Sequence, residues 1–221
     1  MRWKWKIQLD NKVREYIVGE NQQFNFSLVL DKNNDVQDMH IRFYVAANAS
    51  LIANIFIAHT SVNLIIDCVL QGKGADARIR GAYIGSLLDK IYITSSQQHH
   101  IPYTSSSLVM RGALYDNAQA QYHGTIRVEK GAHGSLASQE NKNMLLSNAA
   151  RALSVPNLEV LTNDVKCFHG SAVGRFDNEQ LFYAASRGID EKTAQRILLQ
   201  AFFADLFVSS ELNEKLLESI R

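Results

Sequence analysis

The side chains that could do chemistry in this chain are few, and the most informative are a thiol and an imidazole two positions apart. Cys167 and His169 flank a phenylalanine. On a β-strand, residues two apart face the same side, so the thiol and the ring would be neighbours. Both groups bind borderline and soft metals, iron included, and both ligate iron–sulfur clusters. Because no second cysteine lies nearby, we expect any such site to be shared with another subunit.

The other reactive side chains are predicted to be structural or simply exposed. Cys68 lies in an apolar run and is predicted to be a small buried side chain. His99 and His100 lie in a polar segment, where we predict exposed loop histidines. Adjacent side chains of an extended chain point to opposite faces, so this pair is poorly suited to bind one metal. His123 and His133 flank a predicted strand without evident partners.

Composition and missing motifs exclude several classes of function. The 23 Lys+Arg nearly cancel the 22 Asp+Glu, and a net charge of +1 gives no electrostatic basis for binding nucleic acid or an acidic membrane. The chain has no P-loop, no GxGxxG fingerprint, no GxSxG elbow and no CxxC pair. The most apolar stretch, residues 50–70, is interrupted by polar side chains and cannot cross a bilayer. We therefore expect a soluble, cytoplasmic protein of a reducing compartment.

The elements that position these side chains are predicted to be strands over most of the chain. Alternating apolar and polar residues predict strands at residues 24–30, 39–45, 52–57, 62–70, 77–84, 90–94, 108–114 and 122–128. Such spacing fits either a β-sandwich or a β-solenoid. Only two prolines and no Asn-Gly or Asp-Gly hairpin signal favour the solenoid, but periodicity alone leaves both open.

The end of the chain changes to helical periodicity. We divide the chain into a β core at residues 1–175 and a small helical C-terminal subdomain at residues 176–221. Asp177 and Asp190 are predicted N-caps of the first two helices, and Gly188 is predicted to end the first. A third amphipathic segment follows. The apolar stripes are predicted to pack against each other or the β core, with a docking face for a partner as the alternative.

Three blocks of the sequence match motifs of one protein family, in the same order. Residues 158–174 resemble the motif LEI-x-x-DDVKCSHGATVG, which contains the Cys-x-His pair. Residues 139–147 are similar to Q-x-N-x-N-LLLS, and residues 179–189 to LFYL-x-SRGI. These are motifs of the SufB/SufD family of the SUF iron–sulfur cluster assembly system.

The resemblance implies both a fold and a function. Family members have a right-handed parallel β-helix followed by a helical C-terminal domain, which favours the solenoid over the sandwich. They are non-catalytic scaffolds: SufB and SufD pair through their β-helices, and each helical domain docks a SufC ATPase of the ABC type. We therefore expect a SufB-like partner, or a second copy of this chain, together with a SufC-like ATPase. ATPase activity would belong to that partner.

The resemblance also assigns candidate residues. Residues 149–153 lack the cysteine typical of SufB, so the chain looks SufD-like, and it is expected to be shortened at its N-terminus. By that likeness His169, and with less weight Cys167, would line the interface that holds iron or an iron–sulfur cluster transiently. The candidate residues for docking the ATPase are Phe182, Tyr183, Arg187, Gly188, Ile197 and Phe202.

Two other functions remain open from the residues. The first is a thiol or metal-dependent enzyme on a β-solenoid, with Cys167 as nucleophile and His169 as base. The second is a purely structural subunit whose cysteine and histidine are inert.

Overall fold

The computed structural model describes residues 13–32, 38–207 and 209–220, which form a β-solenoid of about five turns followed by three helices. The strands are β1 (Arg14–Val18), β2 (Gln23–Asp31), β3 (Asp38–Val45), β4 (Ser50–Ala58), β5 (Val62–Leu70), β6 (Asp76–Gly85), β7 (Lys90–His99), β8 (Ser105–Leu114), β9 (Gln119–Val128), β10 (Ser135–Leu145), β11 (Arg151–Val160) and β12 (Val165–Gly174). Odd-numbered and even-numbered strands form two separate six-stranded sheets.

Every pairing in the two sheets is parallel, which is the observation that confirms the solenoid. Each strand is hydrogen-bonded to the strand two further along the chain, so one turn of the chain contributes one strand to each sheet. A sandwich of hairpins would have antiparallel neighbours instead. The sandwich alternative is therefore wrong, and the mainly β solenoid with a helical end is confirmed.

The interior of the first turns is apolar. Alternate residues of each strand point inward, and the inward side chains of successive turns stack directly on one another. Phe43, Leu51, Ile55, Leu64 and Ile66 have no exposed surface. Burying such a side chain fully contributes roughly 1.5–3 kcal/mol, so the stack supplies most of the stability of this half.

The interior of the last turns is polar, and this is why β10 was not predicted from the sequence. Its inward positions include Gln139, Asn141 and Asn143, which are all buried. Because the residues between them are also polar, the strand shows no hydrophobic alternation. The strand β11 was missed as well.

A tyrosine from an earlier turn is hydrogen-bonded to two of these buried asparagines. The Tyr83 hydroxyl in β6 donates to Asn143 Oδ1 at 2.6 Å, and Asn141 Nδ2 donates to the same hydroxyl at 2.9 Å. Asn143 Nδ2 in turn donates to Asn141 Oδ1 at 2.8 Å. The ring can reach β10 because Gly112 lies in its path; a Cβ there would overlap with the Tyr83 ring.

His99 corrects a sequence prediction. It is not a loop residue: it lies in β7 with no exposed surface, and only His100 faces solvent. Its ring nitrogens lie 2.7 Å from Thr104 Oγ1 and 2.8 Å from Ser106 Oγ. Burial, with a smaller contribution from the charge of His100, lowers the pKa of His99 to about 4. The prediction for Cys68 is confirmed, since it is fully buried and burial raises its pKa to about 12.

The described chain ends in three helices, of which the first two begin at the predicted caps. They are α1 (Asn178–Ser186), α2 (Glu191–Phe203) and α3 (Ser210–Ser219). Asp177 and Asp190 accept hydrogen bonds from the first turns of α1 and α2, and Gly188 follows α1 with a positive φ of 79°. No helix of the described residues combines the length and apolar character needed to span a bilayer.

The helices α2 and α3 pack on the outer face of the even-numbered sheet. Their buried apolar residues share one cluster with outward-facing side chains of β4, β6 and β8, among them Phe56, Ile84, Leu199, Phe203 and Leu216. Polar contacts join the two parts too: Arg111 Nη1 donates to the Phe202 carbonyl at 2.6 Å, and His59 Nε2 lies 3.1 Å from the Ser219 carbonyl. The helices thus share a core with the solenoid.

The neutral, buried state of His99 predicts a specific loss of stability in acid. The unfolded chain takes up this proton near pH 6.5 and the folded chain only near pH 4. The stabilisation is therefore complete above pH 6.5 and is lost as pH falls from there toward 4, by about 3 kcal/mol. Urea unfolding at pH 7, 6, 5 and 4 should show a steeper decline for the wild type than for His99→Gln. The matched control is His123→Gln at an exposed position, and identical slopes for all three proteins would contradict the assignment.

Candidate functional site

The Cys-x-His pair lies on β12, the last strand of the even-numbered sheet. Within the described residues β12 is hydrogen-bonded to one strand, β10, so its other edge is unpaired. The register aligns Cys167 with Ala137 and His169 with Gln139. Ala137 and Gln139 are buried inward-facing residues, which places Cys167 and His169 on the inward side of the last turn.

The two side chains differ in burial. Among the described residues no further turn covers either of them, so only packing against the turn below can bury them. Cys167 is half-buried and packs against a small apolar cluster that includes Ile126, Val128 and Ala132. His169 is exposed. The register therefore places the thiol and the imidazole on the same side of the strand, as predicted. At this point the interior of the solenoid is open to solvent.

The electrostatics of the pair do not favour nucleophilic catalysis. Burial raises the pKa of the Cys167 thiol, so the neutral thiol dominates at physiological pH. A catalytic thiol needs the opposite shift, which a neighbouring imidazolium would supply. Among the described residues no cluster of three His, Cys, Asp or Glu side chains could hold a metal ion. Cys167 and His169 can therefore offer at most part of a metal site.

The last turn is also an apolar surface. Several of its large side chains are more than a third exposed, on both the inward and the outward side: Leu153, Leu158, Val160, Leu161, Phe168 and Val173. In the earlier turns the equivalent inward positions are covered by the next turn. A run of exposed apolar residues at an open sheet edge is a typical protein-binding surface.

Five of the six predicted docking residues lie on exposed parts of the helices. Phe182 and Tyr183 on α1 are 77% and 60% exposed, and Ile197 on α2 is 48% exposed. Arg187 lies over the Tyr183 ring at 5.2 Å, next to the exposed Gly188. Tyr183 and Ile197 also line a groove between α1 and α2. We call this groove and the exposed residues beside it on the two helices the α1–α2 face.

Phe202 differs from the other five. It is half-buried and packs with the cluster that joins α2 to the solenoid, where the Arg111 guanidinium lies 5.9 Å from its ring centroid. Its position therefore suits it to holding α2 on the sheet, beneath the α1–α2 face.

One residue of the site was missed in the sequence. Gln139 was part of a quoted motif, but the sequence assigned it no role. The structure places it directly beside His169 in the sheet, and both residues face inward. Only the alignment of two segments 30 residues apart could have revealed this contact.

Comparisons with known proteins agree with the resemblance seen in the motifs. The family described as "SUF system FeS cluster assembly, SufBD core domain" matches residues 5–202. An iron–sulfur cluster assembly SufBD family protein of Mycobacterium leprae is 36% identical over 144 residues, which is 62% of this chain and 37% of that protein. The iron–sulfur cluster assembly protein SufD of Escherichia coli is 36% identical over 109 residues, or 49% of this chain and 26% of that protein.

A longer but weaker match extends the similarity along the chain. A SufBD family protein of Synechocystis is 24% identical over 203 residues, which is 79% of this chain and 44% of that protein. The chain thus spans less than half the length of each of these relatives.

The raised pKa of Cys167 predicts a slow thiol. With a disulfide reagent such as 5,5′-dithiobis(2-nitrobenzoate), the folded chain should react at Cys167 more slowly than free cysteine at pH 7. The rate should climb as pH rises past the ordinary thiol value of 9.0, while Cys68 stays protected until unfolding. Cys167→Ser, the control, should remove the reaction of the folded state. A Cys167 that outpaces free cysteine at pH 7 would instead support the enzyme alternative.

Proposed function

Since the chain belongs to the SufBD family of the SUF iron–sulfur cluster assembly system, we propose that it is a SufD-like scaffold subunit without enzymatic activity of its own. The observation that carries this proposal is the open last turn of the solenoid. There a thiol and an imidazole lie at an unpaired strand edge, surrounded by exposed apolar side chains. Such a surface is suited to hold a cargo between two subunits.

The proposed partner at the last turn is a SufB-like subunit. The free edge of β12 offers backbone donors and acceptors to a strand of that subunit, and Phe168, Leu158 and Val173 offer apolar area around it. Pairing would cover the inward side of β12, where His169 is now exposed. A second copy of this chain is the competing partner, and the composition of the purified complex separates the two.

The proposed cargo is iron or an iron–sulfur cluster, held transiently. Iron accepts both thiolate and imidazole ligands. His169 is the stronger candidate because its imidazole is exposed. Cys167 must lose a proton first, against the effect of its burial. Two donors from this chain leave the remaining coordination to the partner, so the site would be complete only in the assembled complex.

The proposed docking surface for a SufC-like ATPase is the α1–α2 face. Every residue of α1 is at least partly exposed, although the helix contains Phe182 and Tyr183. The opposite side of α2 is fixed to the solenoid through Leu199 and Phe203. The face is therefore accessible to a partner and packed firmly on the solenoid. Both properties suit a surface that docks an ATPase.

The enzyme alternative lacks a supporting observation. Neither an activated thiol nor an acid that orients His169 is seen among the described residues. Both cysteines are free, which fits the reducing environment that we propose for the assembled complex in the cytoplasm.

Removal of the His169 imidazole should impair cluster formation without dissociating the complex. We expect His169→Ala, co-expressed with the SufB-like and SufC-like partners, to lower the iron and acid-labile sulfide of the purified complex by on the order of 10-fold or more. The control is His123→Ala, an exposed histidine on β9. Unchanged iron and sulfide in the His169→Ala complex would remove this residue from the mechanism.

A charge on the α1–α2 face should weaken ATPase docking. Phe182→Asp should cost about 2 kcal/mol of binding free energy, which is about a 30-fold rise in the Kd for the SufC-like ATPase. The control is Ile17→Asp, because Ile17 is equally exposed at 77% but lies in β1 at the far end of the solenoid. Equal Kd values for both variants, measured by calorimetry, would place the docking surface elsewhere.

A further inference from the structure

The side-chain amide of Gln139 is a buried polar group without a partner in the described structure. Gln139 is 2% exposed, and neither its Nε2 nor its Oε1 has a hydrogen bond. Most buried polar atoms in proteins are hydrogen-bonded, because an unsatisfied one destabilises the fold. A buried glutamine is therefore expected to have a hydrogen-bond partner, and the structure shows none for Gln139 among the described residues.

The packing around Gln139 is arranged to admit the amide. Gly124 lies across the interior from it, and a Cβ at Gly124 would overlap with Gln139 Nε2. Several polar groups nearby are already hydrogen-bonded to one another, but Gln97 Oε1 is a second buried atom without a partner. The Tyr122 hydroxyl is hydrogen-bonded to Ser95 at 2.7 Å, and Asn141 is engaged with Tyr83.

Toward the last turn, the inward side chain next to Gln139 is that of His169. Gln139 and His169 are register partners on adjacent parallel strands, which lie about 4.8 Å apart, and both point to the inward side. In the described structure the His169 ring has no hydrogen-bond partner either. An unpaired amide thus lies beside an unpaired imidazole.

We propose that Gln139 is a positioning residue for His169: its side-chain carbonyl accepts a hydrogen bond from one ring N–H and so leaves the other ring nitrogen unprotonated for iron. This inference rests on the proposed function for the identity of the metal. A neutral imidazole has one donor and one acceptor nitrogen, and the partner of the donor decides which is which. Metal-binding histidines are commonly oriented in this way by a carbonyl or carboxylate oxygen.

The amide has two advantages over other side chains at this position. It is neutral, so it can stay buried in the chain before any partner arrives. It also holds the ring by a directional contact from the turn below, which reduces the freedom that His169 would otherwise lose when the metal binds. Because Gln139 and His169 both belong to this chain, the positioning can be tested without a partner subunit.

The decisive experiment reads the tautomer of His169 in the full chain. Ring ¹⁵N chemical shifts, assigned with His169→Ala, give the ratio of the two neutral tautomers at pH 8. We expect one tautomer to dominate in the wild type and the ratio to fall by about five-fold in Gln139→Met, which keeps the shape but removes the acceptor. Gln139→Glu, which restores an acceptor oxygen, should return the dominant tautomer.

The matched control is Gln121→Met, an outward-facing glutamine on β9, which should leave the ratio unchanged. A wild-type ratio equal to that of a free histidine side chain would overturn the inference without any variant, and so would an unchanged ratio in a folded Gln139→Met. A purely structural role of Gln139 would lower stability in that variant but leave the tautomers alone.

A second measurement links the tautomer to the metal. In the complex purified with its partners, Co²⁺ binding followed by its visible absorption should weaken about 10-fold in Gln139→Met and recover in Gln139→Glu. The two proposals can fail separately. Loss of tautomer selection with cluster formation still dependent on His169 would reject only the role of Gln139. A selected tautomer in a complex whose iron content ignores His169→Ala would reject only the proposed cargo site.

Discussion

Each turn of the solenoid is stabilised by the turns on either side of it, and the last turn has only one such neighbour in the described chain. Parallel hydrogen bonds and stacked inward side chains supply this stabilisation along β3–β10. At β11 and β12 one side of that arrangement is missing, so backbone groups and apolar side chains stay exposed. The same deficit that costs stability in the isolated chain creates a surface that another subunit can complete.

The polar interior is concentrated next to that open end. His99, Asn141 and Gln139 are buried where the earlier turns carry isoleucine and leucine. Such groups contribute less to stability than apolar packing, and they require close geometric matching, which glycines at positions 112 and 124 provide. Polar side chains thus replace apolar ones in the interior near β12, at a cost in stability. This replacement is consistent with the proposed role of the interior near His169.

The helices complement this division. One side of α2 is part of the apolar cluster on the outer face of the sheet, and the other side faces solvent with Ile197 and the aromatic residues of α1. A load applied to the α1–α2 face would therefore reach the solenoid directly, through Phe203 and through the contact of Arg111 with the Phe202 carbonyl. The α1–α2 face and the open edge of β12 are thus different parts of one surface that shares the solenoid as its support.

The sequence by itself determined the features that depend on neighbours in the chain: the alternation of most strands, the helix caps at Asp177 and Asp190, the same-side spacing of Cys167 and His169, and the family motifs. The tertiary structure alone decided the features that depend on stacking. The burial of His99, the polar strand β10 and the contact of Gln139 with the His169 position all arise between segments from successive turns. Local periodicity reports which face a side chain occupies, but it carries no information about what the next turn places above it.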